Sequence, residues 1–225
     1  MRTHFSDTDI LHLLRQPEYT HLRNQLHTVR FPAGSMVSDG PREPNSIFVV
    51  ESGRLRVYLG YGEKEFTLAH LRPGDIYSTH PRTLITTLDP AVLHFIATSR
   101  FQTWLQETPQ LGGAVLRVLG EMLGQTFTII EGLAFKDITC RLAELLVYEV
   151  RRNGSFDGTG YCVEMGLTIE QMASIVGSSR QTVSTHLNEL ERRGLIEKLG
   201  RGAFRVRDPE ALAACCPIAA SSMEK

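Results

Sequence analysis

Cysteine is missing from the first 139 of the 225 residues; the four that occur are Cys140, Cys162, Cys215 and Cys216. They form no CxxC pair and show no Cys/His spacing of a zinc site, so an iron–sulfur cluster on N-terminal cysteines is excluded and ordinary thiols in a reducing compartment are expected. No apolar run approaches the ~18–20 residues that cross a bilayer, so no membrane association is expected. The N-terminus carries early acids and no signal-peptide core, which predicts a cytoplasmic protein. The Walker loop, the dinucleotide-binding glycine fingerprint and a Ser/His/Asp or Cys/His set are all absent, so no enzyme is predicted. Low-complexity segments and internal repeats are absent too. What is present, 42% hydrophobic and 22% charged residues, is the composition of a folded chain of one large or two ordinary domains.

Net charge is only −1, and the pI is about 6.7. That average hides an asymmetry. Residues 178–207 hold Arg180, Arg192, Arg193, Lys198, Arg201, Arg205 and Arg207 against Glu189, Glu191 and Glu197. A basic patch on a mildly acidic protein is a local footprint for nucleic acid.

Residues 5–27 read as two short helices broken at Pro17. Short apolar or alternating runs follow at 47–50, 55–59, 66–68, 84–87 and 92–96. They are separated by PAGS, DGPREPN, ESG, GYGE and RPGD, which predicts an antiparallel roll or barrel. Residues 109–133 read as one long helix with Leu111, Val115, Val118, Leu119, Met122, Thr126, Ile129, Ile130 and Leu133 at spacings of three and four. Gly112, Gly113, Gly120 and Gly124 lie inside it. Each costs ~1 kcal/mol relative to Ala, which predicts close approach of a second helix or a ligand. A dimer helix with a coiled-coil-like seam is expected; a buried monomer core is the alternative. A different small module is expected over about 137–212, with a helix at 137–152 and a loop at 153–160.

The segment 167–206 carries the most chemistry. Thr168 with Gln171 is a capping box, Ala173 sits mid-helix, and Gly177 marks a tight turn. Ser178 with Gln181 is expected to start the next helix, whose apolar face is Val183, Leu187 and Leu190. This layout is a helix-turn-helix. It presents Ser179, Arg180, Gln181, Ser184 and Thr185, side chains that suit the major groove: Arg bonds guanine bidentately, Gln adenine, and Ser or Thr either bases or phosphates. The following RRGLIEKLGRGAFRV reads as strand, turn, strand, a wing with Lys198 and Arg201 available for phosphates.

GSSRQTVSTHL (177–187), preceded by a roll and a long helix, resembles the CRP/FNR family of bacterial transcription regulators, as do Gly53 and Gly74 in ESGRLRVYL and LRPGDIY. The resemblance covers nearly the whole chain. It implies an α+β protein in three parts: a cupin-like antiparallel β-roll effector domain (1–108), a dimerisation helix and hinge (109–136) and a C-terminal winged helix-turn-helix (137–225). It also implies a homodimer on a palindromic double-stranded operator, with RNA polymerase as a partner and Arg180 as the main guanine reader. His186 falls where relatives carry an apolar or small residue, and a packing role is expected.

Cyclic-nucleotide members of that family have an acidic segment and then Arg-Ser/Thr after the GD turn. Here Arg82-Thr83 is present, but the Glu segment is absent and the loop from Gly74-Asp75 is short. The stretches SGRLRVYL (52–59), GDIYSTHP (74–81), LQETP (105–109), VLG (118–120) and IEGLAFKDI (130–138) are similar to the CooA type of haem-containing carbon-monoxide sensor. That similarity implies haem b with His80 as the iron ligand. Ser78 stands where one relative has an iron-ligating Cys. The second axial ligand would be the α-amino group of Met1 or the imidazole of His4. Leu116, Leu119 and Gly120 would line the gas side, and the regulator would be an activator. Nitric oxide as the gas, or a small organic or nucleotide effector in the roll, remain the alternatives.

Overall fold

A computed structural model describes residues 6–39, 45–62, 64–79 and 82–216. The chain divides into two compact units, with the boundary between Phe127 and Thr128, inside the long helix rather than at its end.

The first unit is the roll with its helices. Helix α1 (Ile10–Leu14) is capped by Asp9, whose Oδ1 accepts from the His12 amide at 2.7 Å. Pro17 starts a 3-10 turn (Pro17–Tyr19) before α2 (Thr20–Arg23), so the expected break holds. Eight strands follow: β1 (His27–Phe31), β2 (Met36–Ser38), β3 (Ser46–Ser52), β4 (Leu55–Tyr61), β5 (Lys64–Leu71), β6 (Ile76–Ser78), β7 (Leu84–Thr87) and β8 (Ala91–Ala97). They pair antiparallel in two four-stranded sheets, β1-β8-β3-β6 and β2-β7-β4-β5. Three of them, β1, β2 and β6, carry no run that the sequence reading identified, and neither does α3 (Thr98–Glu107).

Strand β3 is buried on both faces. Phe48 and Val50 point into the roll against Leu55, Val57, Ile85 and Leu93. Val49 points the other way, against Ile10, Leu14, Trp104 and Leu111. That double burial is why its apolar residues run consecutively instead of alternating. Phe48, Tyr77 and Phe95 stack within 5.3–6.3 Å and fill the roll interior with side chains. Gly74 turns with φ +98 between β5 and β6, and a Cβ there would stand 2.7 Å from Asp9 Oδ1. Gly74 therefore lets the cap of α1 lie against the turn, where the Ile10 amide donates to the Gly74 carbonyl at 2.9 Å.

Helix α4 (Pro109–Phe135) has two apolar faces. Leu111, Val115, Val118 and Met122 pack on the roll unit. Leu116, Leu119, Leu123, Phe127, Ile130 and Leu133 are exposed, Leu116 by 71%.

The second unit is built on α5 (Ile138–Asn153), capped by Asp137, whose Oδ1 accepts from the Cys140 amide at 2.8 Å. The expected loop over 153–160 instead contains β9 (Ser155–Phe156), paired with β10 (Tyr161–Glu164). Then come α6 (Ile169–Val176), α7 (Arg180–Arg192), β11 (Ile196–Gly200), β12 (Ala203–Val206) and α8 (Pro209–Ala213). Its sheet runs β11-β12-β10-β9. One core of Leu142, Leu145, Leu146, Val176, Val183, Leu187 and Phe204 joins the helices to the wing. Among the described residues no helix is long and apolar enough to cross a membrane.

Candidate nucleic-acid interface and effector face

Helix α6 begins at the capping box read from the sequence. Thr168 Oγ1 accepts from the Gln171 amide at 3.2 Å, and Gln171 Oε1 accepts from the Thr168 amide at 2.8 Å. It ends at Gly177, which is left-handed at φ 68 and ψ 49. There the Gly177 and Ser178 amides both donate to the Ala173 carbonyl. The chain turns at this point and α7 starts.

The cap of α7 is Ser179, not Ser178: Ser179 Oγ accepts from the Thr182 amide at 3.1 Å and pairs with Thr182 Oγ1 at 2.7 Å. Gly177 takes the left-handed position, so the cap moves one residue on. Val183, Leu187 and Leu190 are buried. Positions 180, 181, 184, 185 and 188 lie on the opposite face by helical spacing. Arg180 and Gln181 are exposed at the helix start, and Ser184 is half-buried. Thr185 is exposed, and its hydroxyl donates back to the Gln181 carbonyl at 3.1 Å. Ser179 and Thr185 thus spend their hydroxyls on the helix itself, and Arg180 and Gln181 lead the exposed face.

The wing is pinned to this helix. Glu191 Oε1 accepts from the Lys198 amide at 3.0 Å, Glu191 Oε2 pairs with Lys198 Nζ at 3.1 Å, and Lys198 Nζ also donates to Asn188 Oδ1. Those bonds hold the Glu191 carboxyl below the usual carboxylate range. Lys198, read from the sequence as open to phosphates, is therefore already engaged by Glu191 and Asn188. Arg201, in the turn between β11 and β12, is exposed. An open cleft of about 340 Å³ lies between the start of α6, the start of α7 and the wing. Thr168, Glu170, Arg180, Lys198 and Arg201 line it. The structure thus brings together three of the predicted DNA contacts: Arg180, Lys198 and Arg201.

Charge pairing sharpens the footprint. Glu189 pairs with Arg192, Glu191 with Lys198 and Glu197 with Arg205. Arg205 also pairs with Asp157 at 2.9 Å; bonds from Cys162 and Thr159, with a smaller share from Arg205, hold that carboxyl well below its ordinary range. The positive excess of the segment then falls to Arg180, Arg193, Arg201 and Arg207. None of these four has an ion pair among the described residues.

His186 is half-buried on α7, and its Nδ1 lies 2.9 Å from Thr139 Oγ1 in the first turn of α5. No sequence signal indicated this partner. The interaction becomes visible only when the two helices pack.

The residues expected at an effector site divide into two groups. Met1, His4 and His80 lie outside the described residues. Leu116 and Leu119 are exposed on α4, and a Cβ added at Gly113, Gly120 or Gly124 would meet nothing within 4 Å. Among the described residues, the space a side chain would take at these glycines is open. Leu116, Leu123 and Ile130 recur every seven residues on that surface, the repeat of a coiled-coil seam. In the roll, Arg82 is exposed and Thr83 is buried with its hydroxyl 3.4 Å from Tyr77 Oη.

Residues 140–215 match the model of the Crp-like helix-turn-helix domain. A cAMP-activated global transcriptional regulator of Mycobacterium tuberculosis, CRP-like by name, is 28% identical over 200 residues, covering 85% of this chain and 89% of that one. Among solved structures, a CooA mutant from Carboxydothermus hydrogenoformans superposes with a TM-score of 0.88 at 34% identity. It covers 95% of this chain and 98% of its own. The reduced Fe(II) CO-sensing protein from R. rubrum aligns at 31% identity with a TM-score of 0.54, covering 93% of this chain and 98% of that one.

Proposed function

The chain belongs to the CRP/FNR family of transcription regulators, and from that membership we propose that it is a homodimeric, haem-based regulator that responds to carbon monoxide and activates transcription from a palindromic operator. The observation that carries this reading is the 34% identity with CooA over 95% of the chain.

The described residues fit haem where they are seen: Leu116 and Leu119 give an exposed apolar surface, and Gly120 leaves open room beside it. A flat apolar ring needs such a surface. Haem b, when bound, supplies a ferrous iron with affinity for a diatomic gas. His80 would hold it, together with the amine of Met1 or the imidazole of His4. Each of these must be neutral to act as a ligand, so their hold weakens in acid. Ser78, at the end of β6, offers a hydroxyl where a thiolate would be needed to ligate ferric iron.

The exposed face of α4, with Leu116, Leu123 and Ile130, pairs the two copies. Each copy then sets α7 in one half-site, with half-sites about one helical turn apart. Arg180 reads guanine, Gln181, Ser184 and Thr185 lie on the face that meets base edges or phosphates, Ser179 fixes the helix start, Arg201 holds phosphates, and Lys198 joins it when released from Glu191 and Asn188. RNA polymerase is the partner that activation requires.

The similarity to a cAMP-activated regulator favours a nucleotide effector instead. Against it, Arg82 is exposed, Thr83 is turned to Tyr77, and side chains fill the roll.

The test is the absorption spectrum of haem-supplemented protein, reduced, with and without carbon monoxide. A stoichiometric six-coordinate ferrous spectrum that shifts with the gas, and that His80→Ala abolishes, supports the reading. No haem uptake, with cAMP tightening DNA binding, overturns it in favour of the nucleotide. A shift with nitric oxide alone overturns carbon monoxide as the signal.

A further inference from the structure

Two thiols meet at one corner of the winged helix-turn-helix: the side chains of Cys140 and Cys216 are hydrogen-bonded to each other. Cys140 is buried in the first turn of α5, and its Sγ lies 4.0 Å from the carbonyl oxygen of Cys215, in the peptide that leads to Cys216. The Cys216 amide donates to the Ala213 carbonyl at 3.1 Å, and the residue packs against the module core. Cys215 faces elsewhere: its Sγ accepts from Arg193 Nη2 at 3.3 Å and donates to the Ala211 carbonyl at 3.6 Å. All four cysteines are free thiols, and among the described residues no group of three His, Cys, Asp or Glu is arranged to hold a metal ion.

We propose that Cys140 and Cys216 form a dithiol modification site that a hydroperoxide closes to an intramolecular disulfide. Cys216 is half-exposed and takes the first step. Its sulfur attacks one peroxide oxygen, the O–O bond breaks, and a sulfenic acid forms. The thiol proton leaves on the departing oxygen, as water when the oxidant is hydrogen peroxide. The sulfur of Cys140 then attacks the sulfenic sulfur. The S–S bond forms, the S–O bond breaks, and the hydroxyl leaves as water with the Cys140 proton. The two sulfurs together lose two electrons, and the peroxide gains two.

Burial holds both thiols protonated at neutral pH. For Cys216, the hydrogen bond with Cys140 opposes that burial, and the carboxylates of Glu144 and Asp137 and the neighbouring Cys215 add to it. The first step is therefore slow near pH 7 and faster in alkali. The disulfide would tie residue 216 to the turn of α5 in which Thr139 holds His186, closing a covalent ring around nearly the whole module. A loop of that length restricts the unfolded chain strongly.

The experiment oxidises the full chain with hydrogen peroxide at pH 7 and pH 8.5. Free thiols are then alkylated and the protein is digested without reduction for mass spectrometry. The expected product is a Cys140–Cys216 linked peptide within single chains, two hydrogens lighter than its parts and lost on treatment with dithiothreitol. Cys162 and Cys215 are expected to be alkylated. Cys216→Ser removes the link and Cys162→Ser retains it. Cys140→Ala keeps the buried position apolar and also removes it. Oxidation is expected to raise the melting temperature of the wild type and not that of Cys216→Ser. Four alkylated thiols at both pH values, a Cys215–Cys216 link, or links only between chains would overturn the proposal.

Discussion

His186 Nδ1 and Thr139 Oγ1 lie 2.9 Å apart, and that hydrogen bond ties the middle of α7 to the first turn of α5. Cys140 follows Thr139 directly, and Asp137 caps the same turn. The polar residue that stands out on α7 is thus a brace between helices. His186→Ala and Thr139→Val are each expected to destabilise the protein by about 1 kcal/mol. The double variant is expected to lose less than the sum, because both remove the same bond. Urea unfolding of the four proteins measures this.

Arg180→Ala is expected to cost ~1–3 kcal/mol of affinity for a selected operator and to relax preference at one base pair. Arg201→Ala is expected to weaken binding evenly across sequences and to lower the salt slope by about one. Titrations of matched and mismatched duplexes at several salt concentrations separate the two roles. An unchanged affinity in Arg180→Ala would remove it from the readout.

Glu191 holds Lys198 at both its amide and its ammonium. Glu191→Gln keeps an acceptor for the amide and releases the charge. Affinity for non-specific duplex DNA is expected to rise at low salt, and the salt slope to steepen by about one. Fluorescence anisotropy over a salt series tests it.

Asp75 is buried, and its carboxyl is pushed up to about 7 by that burial, opposed by the Arg72 amide at 2.6 Å and aided by Asp9 and Asp7. The folded state therefore holds a proton on this group that the unfolded chain releases near pH 4. Its contribution to stability is present in full below pH 4 and declines as pH rises towards 7. Asp75→Asn, which cannot ionise, is expected to flatten that decline and to be the more stable form at pH 8. Thermal melting between pH 4 and pH 8 shows the crossing.

Leu123 is 55% exposed on the open face of α4. Leu123→Glu places a charge in the proposed seam. Sedimentation is expected to show a monomer, with operator affinity falling by more than tenfold while the melting of the individual chain changes little. A dimer that persists would move the pairing surface elsewhere.

The DNA-binding half was legible where local rules decide. Thr168 and Gln171 cap α6, and Gly177 turns the chain, because capping and a left-handed turn are written within a few residues. Ser178 and Ser179 are both good caps; the left-handed residue immediately before decides between them, which spacing alone did not settle. In the roll, β2 and β6 span three residues each, too short for alternation to show, and β6 owes its place to pairing with β3. Helix α3 escaped notice because its buried residues, Phe101 and Trp104, are only two in ten. The engagement of Lys198 with Glu191 and Asn188 joins a strand to a helix, and no pattern along the chain announces it.

The exposed positions of α7 carry a last consequence. The backbone of that helix is fixed from behind by Val183, Leu187 and Leu190 and from its start by Ser179, whereas Arg180 and Gln181 face outward and brace nothing in the core. Substitutions at those two outward positions are therefore nearly free of a folding penalty. With Arg180 and Gln181 as the proposed readers, single changes there alter the target sequence without first requiring a gain in stability, so target choice is able to drift faster than architecture.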